Sequence, residues 1–163
     1  MPVPLLTSVD CTSQVHLIVG DNGIASKRVA RSLEAGAQCI LISPLGIDEL
    51  HFELKILIER NDLKHIQRDF EGEDLRTHGR AEVDNIVDMV FVTLSPLDKR
   101  GKSISIQYLT VVTWISSLCK RLRIPVNCAD SPVNCTFSLL STHRDGPLQI
   151  GVSTSGKVSL ILF

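Results

Sequence analysis

The chain has 163 residues, a formal net charge of −1, 44% hydrophobic residues and 21% charged residues, a balance that excludes disorder and suits one domain with its own core. There is no basic excess or acidic tail, and the aromatic content of 4% is too sparse for a base-stacking surface, so nucleic acid is not an expected partner. No apolar run reaches the roughly 18 residues of a membrane helix, and the opening MPVPLLTSVD lacks the basic and apolar regions of a signal peptide, which points to a cytoplasmic protein without a membrane partner.

Residues 14–19 (QVHLIV) form a short apolar strand ending at Gly20. A helix is expected over 24–34, with Ile24, Ala25, Val29, Ala30 and Leu33 on its apolar face. Gly36 suits the left-handed position after that helix. Residues 39–42 (CILI) make a second buried strand, stopped by Ser43 and Pro44. Strand, helix and strand in this order form a βαβ unit with parallel strands.

Further along, 48–58 reads as a helix, 64–68 as a short strand, and 74–80 as one or two helical turns. Residues 85–94 (NIVDMVFVTL) contain the clearest central strand. A crossover helix is due over 101–114, but the residues there are β-branched and begin with alternation, which is a strand pattern. Residues 115–123 read as a helix with a basic last turn that suits its C-terminal dipole. A strand begins at 125–128. Two more, 137–141 and 148–153, are joined by a turn at His143, Arg144, Asp145 and Gly146. His16 alternates with apolar residues and reads as a satisfied core or edge histidine. The five cysteines are an odd number without CxxC spacing, expected to be reduced thiols with no metal site.

The turn after the first strand reads Gly20-Asp21-Asn22-Gly23-Ile24-Ala25. A dinucleotide fingerprint, Gly-x-Gly-x-x-Gly/Ala, needs a glycine for the tight turn, a second for backbone approach to the pyrophosphate, and a small residue where helix meets strand. Gly20 and Ala25 meet the first and third needs, while Asn22 fills the space the second glycine would leave open. The helix N-terminus still offers N–H groups to an anion. The candidate cofactor-binding residues are therefore Gly20, Asn22, Gly23, Ile24, Ala25, Ser43 and Pro44, although the second strand ends without an acid for the ribose hydroxyls. Gly101-Lys102-Ser103 imitates a P-loop, but Pro96 stands where that motif needs glycine, so a basic surface loop is the better reading.

The C-terminal half carries RIPVNCADSP, then CTF, then GPLQIGVSTSG. Together with VGDNGIASKRVARSLEAGAQCILISP, these segments resemble the siroheme synthase N-terminal domain family, which includes precorrin-2 dehydrogenase/sirohydrochlorin ferrochelatase. They also resemble the N-terminal region of fungal uroporphyrinogen-III C-methyltransferases. The resemblance covers most of the chain. It implies an α/β fold with a Rossmann-like parallel sheet, flanking helices and a short C-terminal β segment. Residues 1–136 would be the dinucleotide-binding domain, and 137–163 the start of the family's second region, without its helical dimerisation part. The family is homodimeric, and its cofactor is NAD. Its substrate is a tetrapyrrole, precorrin-2, which is oxidised to sirohydrochlorin.

By the same resemblance Asp130 matches the family's catalytic aspartate, and Asn127, Ser153, Thr154, Ser155 and Gly156 shape the tetrapyrrole site. A carboxylate at the carboxyl ends of strands can accept a proton as hydride leaves; without the resemblance, Asp130 reads as a turn-former before Ser131-Pro132. Arg144 could pair a substrate carboxylate or be a solvated turn arginine. Three functional readings stand side by side. Gly20, Ala25 and Asp130 favour a dehydrogenase. Asn22 and the missing second-strand acid favour a non-catalytic or regulatory module of a uroporphyrinogen-III C-methyltransferase. The third is a nucleotide-sensing or assembly module without turnover.

Overall fold

A computed structural model describes residue 5 and residues 7–95, 105–145, 148–152 and 158–162. Five parallel strands form one sheet in the order β3-β2-β1-β4-β5. They are β1 (Val15–Val19), β2 (Gln38–Ser43), β3 (Leu63–Gln67), β4 (Met89–Val92) and β5 (Val126–Cys128). Helices α1 (Gly23–Glu34) and α2 (Phe52–Glu59) follow β1 and β2, while α3 (Asp74–Thr77) and α4 (Ser105–Arg121) lie before β4 and β5.

The central strands are predominantly apolar because both their faces are covered. Alternation divides them between two cores. Leu17, Val19, Ile40, Ile42, Val90 and Val92 pack with Tyr108, Val112, Ile115 and Cys119 of α4. Ile18, Leu41 and Phe91 pack with Ala25 and Val29 of α1 and Leu54 of α2. Leu17, Ile18 and Leu41 are fully buried, each contributing about 1.5–3 kcal/mol of hydrophobic stabilisation. The strand order reverses beside β1, so the crevice between the loops after β1 and β4 is the switch point where open α/β sheets bind ligands.

The βαβ unit matches expectation, and Gly36 takes the left-handed conformation with φ +84°. The buried face of α1 differs. Ser26 and Ser32 are buried with Ala25 and Val29, whereas Ala30 is exposed. The serines can be buried because each has a partner: Ser32 bonds His16 Nδ1 at 2.8 Å, and Ser26 donates to Glu53. The expected helix over 48–58 is broken into a 3-10 turn, Ile47–Glu49, and α2, since Leu50 and His51 are extended. β4 lies within the 85–94 stretch as expected, and Asp84 and Asn85 take left-handed backbone conformations upstream of it.

The crossover helix due over 101–114 is present from Ser105 despite the strand pattern of its residues. Residues from Ser105 onward are the first half of α4, continuous with the helix expected at 115; residues 101–104, including the Gly101-Lys102-Ser103 sequence, lie outside the described residues. Tyr108, Val112, Ile115 and Cys119 are all buried, and this helical spacing overrides the strand preference of the Val and Thr residues between them.

A separate three-stranded antiparallel sheet, β6 (Ser141–Asp145), β7 (Leu148–Val152) and β8 (Val158–Leu162), closes the chain. The expected strand at 137–141 is displaced. Residues 137–140 are not strand, and His143, Arg144 and Asp145 belong to β6 rather than to a turn. Arg31 of α1 holds this sheet through the Leu140 carbonyl at 3.0 Å and Thr142 Oγ1 at 2.8 Å.

Candidate functional site

Gly20 follows β1 at φ +131°, and a Cβ there would lie 2.3 Å from Thr93 Oγ1 and 3.1 Å from the Thr93 carbonyl carbon. Only glycine allows this approach, since the conformation and the contact both exclude a side chain. Thr93 follows β4 and is itself locked: its N–H and hydroxyl both donate to the Val19 carbonyl, at 2.8 and 3.1 Å. The two loops that flank the switch point are thus in contact.

Asn22 is the N-cap of α1. Its Oδ1 accepts from the Ile24 and Ala25 N–H groups, both at 3.0 Å, and its Nδ2 donates to the Thr93 carbonyl at 2.6 Å. Two of the donors that a helix N-terminus offers an anion are therefore taken by the chain itself. The N–H groups of Asp21, Asn22 and Gly23 make no hydrogen bond among the described residues. These successive donors beside a bare glycine suit a phosphate group. The loop fits a dinucleotide pyrophosphate at residues 21–23, with the deeper helix donors closed by Asn22. Ala25 is fully buried where α1 meets the sheet, as the fingerprint requires.

At the end of β2, Ser43 is buried, and its hydroxyl donates to Asp21 Oδ2 at 2.9 Å while accepting from the Leu45 N–H at 3.2 Å. Pro44 is exposed beside it. Between the N-termini of α1 and α2 lies an open cleft of about 540 Å³, lined by Asn22, Gly23, Ile24, Lys27, His51, Phe52 and Glu53. Within it Glu53 accepts the Ser26 hydroxyl, which puts a carboxylate at the first turn of α1.

Asp130 lies at the carboxyl end of β5, the same edge of the sheet. It is exposed and left-handed, with φ +58°. Tyr108 of α4 donates its hydroxyl to the neighbouring Ala129 carbonyl at 3.0 Å, fixing the turn. Burial, and then the negative charge of Asp130 nearby, push the Tyr108 phenol up from its ordinary range. Asn127 is buried within β5, and its amide donates to the Phe137 carbonyl at 3.1 Å, with a long contact to Cys135 Sγ at 3.9 Å. Its donors therefore anchor the following segment. Ser153, Thr154, Ser155 and Gly156 lie outside the described residues, as does the Arg144 side chain.

His16 is buried, with Nδ1 bonded to Ser32 and Nε2 to Gln14 Oε1 at 3.1 Å. The thiols of Cys39, Cys119 and Cys128 are pushed up to about 12, chiefly by burial, so they are protonated and unreactive. Among the described residues no group of His, Cys, Asp and Glu could hold a metal ion, and no helix is long and apolar enough to cross a membrane. The sequence reading missed Asp21, Thr93 and Tyr108. Asp21 stood inside the glycine motif; the other two carried no local signal.

A family model described as "Putative NAD(P)-binding" matches residues 8–141. The chain is 31% identical over 166 residues to the uroporphyrinogen-III C-methyltransferase of Saccharomyces cerevisiae, covering 95% of this chain and 26% of that protein. It is 36% identical over 141 residues to the siroheme biosynthesis protein met8 of Schizosaccharomyces pombe, covering 86% of this chain and 45% of that protein. The chain thus spans less than half the length of these two relatives. A solved structure, "SirC, precorrin-2 dehydrogenase", shares the fold with a TM-score of 0.63 at 19% identity, over 94% of this chain and 63% of that one.

Proposed function

The chain belongs to the siroheme synthase N-terminal domain family, and we propose that it is a cytoplasmic precorrin-2 dehydrogenase domain of siroheme biosynthesis, oxidising precorrin-2 to sirohydrochlorin with NAD. The observation that carries this reading is the loop at the switch point: a bare Gly20 against Thr93, followed by three successive N–H groups without a hydrogen bond among the described residues. On this reading residues 1–136 form the dinucleotide-binding unit and 137–163 begin the family's second region. Gly20 gives close backbone approach, and the N–H groups of Asp21, Asn22 and Gly23 hold the pyrophosphate. Ile24 and Ala25 seat α1, and Ser43 and Pro44 border the adenosine side.

Bound NAD supplies the hydride acceptor. Asp130, on the same sheet edge, takes the proton that leaves the tetrapyrrole as hydride departs. Tyr108 keeps the turn of Asp130 in place. Asn127 shapes the substrate site by fixing residues 135–137, and Ser153, Thr154, Ser155 and Gly156 complete it.

A second reading, a non-catalytic module attached to a uroporphyrinogen-III C-methyltransferase, is favoured by one observation: Asn22 occupies the Ile24 and Ala25 donors. Titration calorimetry with NAD on the wild type and on Asn22→Gly separates the two. Saturable binding by the wild type supports the dehydrogenase and leads to a precorrin-2 turnover assay. Binding by Asn22→Gly alone supports the non-catalytic module. Two folded proteins that both fail to bind remove the dinucleotide reading.

A further inference from the structure

The second strand ends without the acid that normally grips the adenosine ribose, and the geometry points to Asp21, at the end of the first strand, as the residue that replaces it. The inference rests on the dinucleotide reading and assigns the site a cofactor preference: a ribose with free 2′- and 3′-hydroxyls, and exclusion of a 2′-phosphate.

The two strands run in parallel register, with Val19 beside Ile42 and the Gly20 N–H donating to the Ile42 carbonyl at 3.1 Å. Asp21 is therefore two residues past the end of β1, next to the level at which β2 ends at Ser43, and its side chain crosses onto β2. Ser43 Oγ donates to Asp21 Oδ2 at 2.9 Å and is oriented in turn by the Leu45 N–H. Because Ser43 is only 1% exposed, the carboxylate is held from a rigid base. The other oxygen, Oδ1, makes no hydrogen bond among the described residues, and Asp21 is only partly buried.

A positioned carboxylate oxygen at the end of β2 accepts from the vicinal hydroxyls of a ribose. The same charge repels a phosphate on the 2′-oxygen. β2 and β3 lie on the side of the switch point away from β4 and β5, so Asp21 faces the adenosine half while Asp130 faces the reacting half. The sequence thus keeps the acid but carries it on the glycine loop, one residue before Asn22.

Titration calorimetry with NAD and with NADP, on the wild type, Asp21→Asn and Ser43→Ala, tests this. The wild type should favour NAD by about tenfold or more, and Asp21→Asn should bring the two within about threefold by weakening NAD and strengthening NADP. Ser43→Ala should narrow the ratio less, since the carboxylate stays but loses its anchor. Equal wild-type affinities, or a ratio untouched in Asp21→Asn, overturn the inference while leaving dinucleotide binding standing. If the wild type binds neither cofactor, the same comparison is made in the Asn22→Gly background. Folded proteins that bind neither cofactor there remove the dinucleotide reading, and this inference with it.

Discussion

The Asn22 amide donates to the Thr93 carbonyl across 2.6 Å, joining the loop after β1 to the residue that follows β4. The same side chain caps α1 through Ile24 and Ala25. One residue therefore staples the switch-point crevice and closes part of its anion site. The cap and the cross-loop bond both rest on this one side chain. Replacing Asn22 with alanine removes both and should cost about 2 kcal/mol, while glycine, a tolerated N-cap, should cost about 1 kcal/mol. Urea unfolding followed by circular dichroism measures both. Equal losses for the two variants would show that glycine's tolerance of the N-cap position recovers nothing here.

Gly20→Ala places a methyl group 2.3 Å from Thr93 Oγ1 in a backbone conformation that L-residues rarely adopt. The threonine cannot yield cheaply, because its N–H and hydroxyl are both bound to Val19. A loss of roughly 2–4 kcal/mol is expected in chemical unfolding. A Gly20→Ala, Thr93→Ala double variant should recover part of it, since the Oγ1 clash is gone while the backbone strain remains. No recovery would mean that the clash is not the source of the loss.

The βαβ unit was legible because its signals are local: continuous apolar strands buried on both faces, and a glycine at the left-handed Gly36 position. α4 was not. Thr110, Val111, Val112 and Thr113 read as strand in isolation, and only the shared core with β4 and β5 selects the helix that aligns Tyr108, Val112, Ile115 and Cys119. At the site, the sequence revealed that Asn22 fills a glycine's place, but not that its carbonyl oxygen takes two helix donors. It also showed β2 ending without an acid. That Asp21 reaches that end depends on a contact with Ser43, 22 residues away, which no periodicity encodes.

Asp130 carries a left-handed backbone, φ +58°, in an exposed turn. Asparagine accepts that conformation as well as aspartate does, so Asp130→Asn should leave stability within about 0.5 kcal/mol of the wild type. Glycine relieves the strain and should raise stability by up to about 1 kcal/mol, part of the gain being lost to a more flexible unfolded chain. Neither variant accepts a proton, so precorrin-2 oxidation should fall by about 100-fold or more in both. Full turnover in the folded Asp130→Asn protein would reduce Asp130 to a turn-former.

His16 gives the fold its dependence on mildly acid pH. Burial pushes its imidazole down to about 4, against a smaller upward pull from the Asp88 carboxylate. The folded state therefore favours the neutral ring, which bonds Ser32 and Gln14 and lies tilted against Phe91 with ring centroids 5.8 Å apart. In the unfolded chain histidine titrates near about 6.5. A depressed folded value means that the contribution is complete above the unfolded pKa and is lost as pH falls toward the folded one. Between about pH 6.5 and pH 4 the chain should lose on the order of 3 kcal/mol from this group. Asp88 and Asp74 act further down. Burial alone would raise both carboxyls, but Arg80 and the Val15 N–H on one, and Arg68, the Glu71 N–H and His78 on the other, outweigh it and hold them below the ordinary range. Their share is lost only as pH drops through and below the region where unfolded carboxylates protonate. Urea unfolding at half-unit steps from pH 7 to pH 4, on the wild type and on His16→Gln, separates the two regimes. Glutamine keeps a polar partner for Ser32 without a titrating ring, so its absolute stability is lower but its curve should be flat down to about pH 5. A wild-type curve equally flat over that interval would show that His16 is not held neutral by the fold.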